Sequence, residues 1–176
     1  MRFETRQRIQ GTVAEVEQAL AHPDYVGFLL KHHGVLLEAQ VLELSDAGGR
    51  IQRRVRYRPR PVIRAIGPRE VPPEWFAFVE TSTYDRARRE LQFQNVPTTH
   101  GISKMMLNSG TLRLRELAGG CERTIDGEVK LALPLLLKPL ALVGEKIISS
   151  EGLKILDGEV PVLNRFLAEV IRRPAS

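Results

Sequence analysis

Cysteine is almost missing from this chain: its 176 residues hold one, Cys121. A lone thiol forms no internal disulfide and falls short of the roughly four ligands of a structural zinc site, so neither an oxidising compartment nor a metal staple is implied. Aromatic residues are scarce at 6%, and no stretch approaches the roughly 20 apolar residues that cross a bilayer. The opening MRFETRQRIQ alternates and carries charge where a secretory leader would be continuously apolar. A cytoplasmic protein of bacterial type is the expectation.

The usual catalytic signatures are absent as well. There is no G-x-S-x-G elbow, no phosphate-cradling G-x-x-x-x-G-K and no G-x-G-x-x-G. His22, His32, His33 and His100 include no pair at the i, i+4 spacing that holds a metal, and no metal or cofactor is expected. Cys121 follows Gly119-Gly120 in what reads as a hairpin turn with no activating histidine beside it, so an exposed structural thiol is expected there.

What is present describes one globular domain over residues 1–176, with 43% hydrophobic and 27% charged residues. A chain of this length buries roughly 70% of its unfolded surface, enough for a core or for a core hollowed by a pocket. The net charge is +5, but it is uneven. Arg50, Arg53, Arg54, Arg56, Arg58, Arg60 and Arg64 fall in one stretch that holds no acid. Such a run attracts phosphate, in nucleic acid or on lipid headgroups, or else it is simply a solvated strand face.

Periodicity divides the chain. Residues 2–10 alternate as a half-buried strand, with Phe3, Thr5 and Ile9 on one face. Thr12 and Glu15 form a capping box opening a helix that His22-Pro23 stops, and a second short helix starts at Asp24. From Gly34 the period is two, predicting strands at Val35–Ser45, Arg50–Arg58, Trp75–Asp85, Arg88–Val96, Met105–Glu116 and Glu122–Leu133. Asp46-Ala47-Gly48-Gly49 and Ala118-Gly119-Gly120 supply tight hairpin turns, while Pro59–Pro73 reads as a long loop near the sheet edge. After Pro134 the period returns to 3.6 in a long terminal helix, with a kink or break expected at Gly158 and Pro161. The class is α+β, in the order βααββββββα: a curved seven-stranded antiparallel sheet wrapped around a long C-terminal helix.

This pattern, with its local phrases, resembles the helix-grip superfamily of START-like domains, birch-pollen-type allergens and polyketide cyclases, also called SRPBCC. Val79-Glu80-Thr81-Ser82-Thr83-Tyr84-Asp85, Leu91-Gln92-Phe93-Gln94-Asn95-Val96 and Leu112-Arg113-Leu114-Arg115-Glu116 are similar to the middle of PRELI-like lipid-transfer domains. The stretch from Arg123 to Val129, with Gly144-Glu145-Lys146-Ile147, resembles an uncharacterised bacterial START-like family. The resemblance implies a cavity between sheet and helix that takes a lipid-like hydrophobic or amphiphilic small molecule, with transfer between membranes as one form of that activity. Its lining would be Ile51, Arg53, Val55, Tyr57, Leu91, Phe93, Leu112, Leu114, Val129 and Leu131 from the sheet, with Leu140, Val143 and Ile147 from the helix.

Arg53 is the sharpest signal, because it shares a strand face with Ile51, Val55 and Tyr57. A guanidinium there either clamps a ligand phosphate or carboxylate, or pairs with an acid such as Glu80 or Glu128. Arg54, Arg56 and Arg58 point the other way and would form a patch toward an anionic membrane. The apolar Leu131–Val143 run either inserts shallowly into an interface or is buried as strand end and helix start. A non-catalytic carrier is the leading reading. The first alternative is a cyclase- or hydratase-type enzyme, for which Glu80, Asn108, His100 and Tyr57 are the polar residues to test. The second is a basic nucleic-acid-binding module, disfavoured because only Tyr57 interleaves the arginines and base stacking needs several rings.

Overall fold

The computed structural model describes residues 1–61, 65–66, 69–70, 72–99, 106–132 and 138–173, with backbone alone at 65–66, 69–70 and 138–143. Strand β1 (Arg2–Ile9) leads into helices α1 (Val13–Ala21) and α2 (Tyr25–His32). Strands β2 (Leu36–Ala47) and β3 (Arg50–Pro59) follow, then a two-residue ribbon β4 (Ala65–Ile66) and β5 (Arg69–Glu70). Strands β6 (Phe78–Asp85), β7 (Glu90–Pro97), β8 (Met106–Leu117) and β9 (Gly120–Leu131) precede the long helix α3 (Lys138–Phe166). Seven strands form one antiparallel sheet in the order β1-β9-β8-β7-β6-β3-β2. The expected architecture is therefore the observed one.

Local chemistry explains the boundaries. The Thr12 side chain and Glu15 form the expected reciprocal cap at the start of α1. Gly48, Gly49 and Gly119 take positive φ at the hairpin turns, where a β-carbon would be strained. Two expectations are corrected. Residues 73–76 are a short 3-10 helix opened by Pro73 rather than the start of a strand, and Trp75 is exposed. Helix α3 runs unbroken through Gly158 and Pro161, so the break, one of the two outcomes expected there, is absent, and the helix ends in a π turn, Leu167–Ile171. Gly158 is there for contact: a β-carbon on it would stand 3.0 Å from the His33 ring, whose Nε2 lies 2.8 Å from the Ile155 carbonyl oxygen.

Among the described residues, the carboxy-terminal half of α3 packs into a closed core. Leu163, Phe166 and Leu167 are buried against Ile9, Val13, Val16, Ala19 and Leu20 from β1 and α1 and Ile51, Tyr84, Leu91 and Leu114 from the sheet, and Val162 is buried in a second cluster with Val26, Leu29, Val55 and Tyr57. Phe166 takes edge contacts from His22, Tyr25 and Phe28 at centroid distances of 5.1–5.3 Å. Cys121 lies inside this core with no exposed surface, correcting the expected exposed thiol: it is the second residue of β9 and faces inward, and burial pushes its thiol up to about 11. Between residues 144 and 158, by contrast, Ser149 is the one buried side chain.

A polar clamp sits where these halves meet. Arg123 of β9 is 3% exposed and spends its guanidinium on three partners: Gln7 Oε1 of β1 at 2.8 Å, Glu159 Oε2 at 2.8 Å and the Leu156 carbonyl at 3.2 Å. Tyr25 of α2 donates to Glu159 Oε1 at 2.7 Å, and Gln7 Nε2 donates to Asp157 Oδ1 at 2.6 Å. Burial alone would raise the Glu159 carboxyl, but the charge of Arg123 and the Tyr25 hydrogen bond outweigh it and hold the group below the usual range. Sheet, α2 and α3 are thus joined through one satisfied ion pair.

Removing one partner of such a pair strands a buried charge, so Glu159→Leu is expected to destabilise the fold by about 3–5 kcal/mol in urea unfolding. The double variant Arg123→Met/Glu159→Leu should lose clearly less than the two single losses combined; strict additivity would show that the clamp is not a coupled unit. A second, surface clasp gives a pH signature. Arg172 holds Glu15 through bonds of 2.6 and 3.0 Å, and this contact draws the carboxyl down to about 2 against the opposing effect of burial. Since the unfolded value is about 4.3, the clasp stabilises fully above that pH and is lost as pH falls toward 2. The melting-temperature gap between the wild type and Glu15→Gln should therefore close between pH 5 and 2.

Candidate functional site

Register fixes which side chains share the face turned toward α3. One row crosses Leu112, Leu91, Tyr84 and Ile51, the next Gly110, Phe93, Ser82 and Arg53, and the next Val129, Asn108, Asn95, Glu80 and Val55. Phe78 and Tyr57 pair in the row beyond, with ring centroids 5.6 Å apart. This settles the parity of β6: Phe78, Glu80, Ser82 and Tyr84 face inward, and Val79 outward. Because Gly127 and Gly110 are paired and bear no side chains, the rings of Phe3 and Phe93 fill the gap; a β-carbon would stand 2.1 Å from Phe3 at Gly127 and 2.7 Å from Phe93 at Gly110.

The expected lining residues Ile51, Arg53, Val55, Tyr57, Leu91, Phe93, Leu112, Leu114, Val129 and Leu131 all belong to this face. They do not form one environment. Ile51, Leu91 and Leu114 are consumed in the closed core beside α1, with the half-buried Phe93 and Leu112 packed against it; Val55 and Tyr57 are buried in a second cluster with Val26, Leu29 and Val162, Val129 is buried as well, and Leu131 is half-buried. Ile147 is half-buried on α3, and the side chains of Leu140 and Val143 lie outside the described residues, as does His100. Two open surface clefts, about 410 and 620 Å³, lie at the other end of the strands, around Arg86 and the β2–β3 turn. Neither touches an expected lining residue.

The inner face carries more polarity than apolar alternation suggests. Glu80 and Asn108 sit in one row with Asn95 between them, and Asn95 escaped the sequence reading although it shares parity with Leu91 and Phe93. Glu80 Oε1 accepts from Arg53 Nη2 at 3.3 Å and from Ser82 Oγ at 3.2 Å. The protein-partner reading of Arg53 is thus realised by Glu80; Glu128, on the outer face, pairs with Arg2 and Lys130 instead. Yet the pairing is incomplete. The Arg53 side chain is 11% exposed, and its Nε and Nη1 have no hydrogen-bond partner among the described residues. Among those residues Asn95 Oδ1, on the other side of Glu80, and Ser149 Oγ on α3 are buried without a partner as well, as are His33 Nδ1 at the end of α2 and Arg56 Nε on the outer face. Burial pushes the neighbouring Tyr57 hydroxyl well above its ordinary value, so it stays protonated and available as a donor.

The outward arginines have a different surrounding. Arg54 pairs with Glu43, and Arg56 and Arg58 reach Glu38 at 3.5 and 3.2 Å, all across the β2–β3 ladder. The expected basic patch is therefore laced with acids from the neighbouring strand. The Leu131–Val143 run spans the end of β9 and the start of α3, with 133–137 outside the described residues. Among the described residues no helix is long and apolar enough to cross a membrane, and no group of three acidic, histidine or cysteine side chains is placed to hold a metal.

No protein-family model matches the chain, and no curated protein does. Solved structures match over nearly its whole length. A Thermus thermophilus protein superposes with a TM-score of 0.61 at 15% identity, covering 97% of this chain and 99% of its own. The Zhui aromatase/cyclase from a Streptomyces species gives 0.58 at 14% identity, covering 100% and 98%. Norcoclaurine synthase from Thalictrum flavum, solved with dopamine and hydroxybenzaldehyde, gives 0.61 at 12% identity, covering 97% and 87%. At such identities the likeness is one of fold: the chain has the helix-grip fold of these structures.

Proposed function

We propose that the chain binds a small molecule with an apolar body and a polar head between the inner sheet face and the amino-terminal half of α3. The observation that carries this reading is the set of unpartnered polar atoms on Arg53 and Asn95 of that face. A buried donor or acceptor left unmade costs about 1–3 kcal/mol, so such groups persist where something else satisfies them. The half-buried Phe93, Leu112 and Leu131 would supply apolar contact at about 25 cal/mol per Å² removed from water. The aromatase/cyclases and norcoclaurine synthase that share the fold support a small-molecule ligand. Lipid carriage between membranes is the more specific version; it would use the rim of the site and not Arg54, Arg56 and Arg58, whose charges are matched by Glu38 and Glu43.

Catalysis in the same place is the second reading, and Glu80 favours it. Both of its hydrogen bonds use one carboxylate oxygen, which leaves the other free, among the described residues, to take a proton from a bound substrate.

Solvent extraction of the natively purified protein, followed by mass spectrometry, should release an amphiphile. The extracted protein should then take up N-phenyl-1-naphthylamine saturably, one molecule per chain, and Leu112→Trp should abolish that uptake with the melting temperature retained. No extractable molecule and no saturable uptake would end this proposal. The catalytic reading requires that Glu80→Gln keep the uptake while removing turnover of whatever substrate the extract identifies.

A further inference from the structure

The unpartnered atoms on the inner face have opposite senses, and this restricts the ligand's head. Among the described residues Arg53 offers donors, Nε and Nη1, with nothing to receive them. Asn95 Oδ1 is, among the same residues, an acceptor with nothing to give to it. Glu80 stands between the two, hydrogen-bonded to Arg53 and register-paired with Asn95. A carboxylate or phosphate head accepts only and leaves Asn95 unmet; an ammonium donates only and leaves Arg53 unmet. A hydroxyl does both.

Charge leads to the same class. The Arg53 charge is already balanced by Glu80, and the Arg123 charge by Glu159. An anionic head would therefore enter a face whose cations are matched, next to the Glu80 carboxylate, and would lose its hydration without gaining a free counter-charge. A neutral hydroxyl loses far less on burial and recovers it through the two orphaned groups. Asn108, in the same row, extends the line of uncharged hydrogen-bonding groups across the face, and it suits a second hydroxyl farther along a rigid body.

Resting on the binding site described above, we propose that it selects an uncharged, hydroxyl-bearing amphiphile over an anionic one, with Asn95 as the specificity-determining residue. Three probes of one shape test this on the full chain by calorimetry at pH 7: naphthalene, 2-naphthol and 2-naphthoate. The expected result is 2-naphthol binding at least tenfold tighter than either of the others. Asn95→Leu should abolish the preference, leaving 2-naphthol no tighter than naphthalene. Tightest binding by 2-naphthoate would overturn the proposal and restore Arg53 as an anion clamp, with the site itself intact. Equal affinities for all three would overturn it too, since the polar row would then select nothing. Failure of all three to bind would instead remove the binding site and the selectivity with it, an outcome distinct from a wrong preference. The wild-type comparison stands even if the variant fails to fold.

Discussion

The arrangement depends on how a long helix is held to a curved sheet by one buried ion pair. Arg123 and Glu159 meet at 2.8 Å, with Gln7 and Tyr25 completing the hydrogen bonds of both. Ion pairs in such places add little net stability over apolar residues of the same size, because both ions must give up water. What they add is geometry. An apolar contact lets a helix slide by a fraction of a turn, whereas a guanidinium serving three fixed acceptors does not. The clamp therefore sets where α3 lies along the sheet. Carboxy-terminal of it Leu163, Phe166 and Leu167 are buried in the core, and the stretch from 144 to 158 is only half-covered.

This division gives the two ends of the inner face different tasks. Near α1 the rows end in Ile51, Tyr84, Leu91 and Leu114, which are buried and consumed by packing. Tyr84 is satisfied there by Glu17 at 2.8 Å, so even the phenol of that end has its partner. Toward Val129 and Tyr57 the rows contain Asn108, Asn95, Glu80 and Arg53, and polar atoms are left over. A sheet built only for stability would place valine or isoleucine at those positions, since buried polar atoms without partners weaken a fold. Val55, Val129 and Tyr57 at this end are themselves buried, so the polar residues stand among packed neighbours, and it is on their unmet atoms that the proposed binding face rests.

Much of this was legible in the sequence. Period-two alternation from Val35 onward, glycine-marked turns and one long helical stripe define the sheet, its strand count and its cover. Arg53 stood out because a guanidinium among Ile51, Val55 and Tyr57 contradicts its surroundings. Other residues were hidden for identifiable reasons. Arg123 obeys the same parity rule with Ile125 and Val129, but it stands near the start of a strand, where charge reads as turn. Gln7 sat unnoticed on the apolar face of β1, and its partner across the ladder is Arg123 itself. Asn95 follows Leu91 and Phe93 by two-residue steps, yet an amide near a strand end looks like solvent-facing polarity. Cys121 was misread by two residues' worth of turn. Trp75 shares the alternation of the strand that follows it, while Pro73 sets the first position of a 3-10 helix, so period alone does not separate the two.

The seven-arginine stretch shows why composition alone misleads. Arg53 and Arg54 are neighbours of identical chemistry, and alternation sends them to opposite worlds. On the outer face the 4.5–5.5 Å spacing of cross-strand partners lets β2 set Glu43 and Glu38 against Arg54, Arg56 and Arg58. Those exposed pairs contribute at most about 1 kcal/mol each and hold an edge strand in register. The same ladder also covers the phosphate-seeking potential that the linear charge run suggests. On the inner face Arg53 has Leu44 on one side and Ser82 on the other, with one carboxylate in reach at 3.3 Å. One strand thus carries two electrostatic regimes. The crowded, acid-matched side stabilises structure, and the sparse, under-partnered side carries the guanidinium on which the proposed site rests.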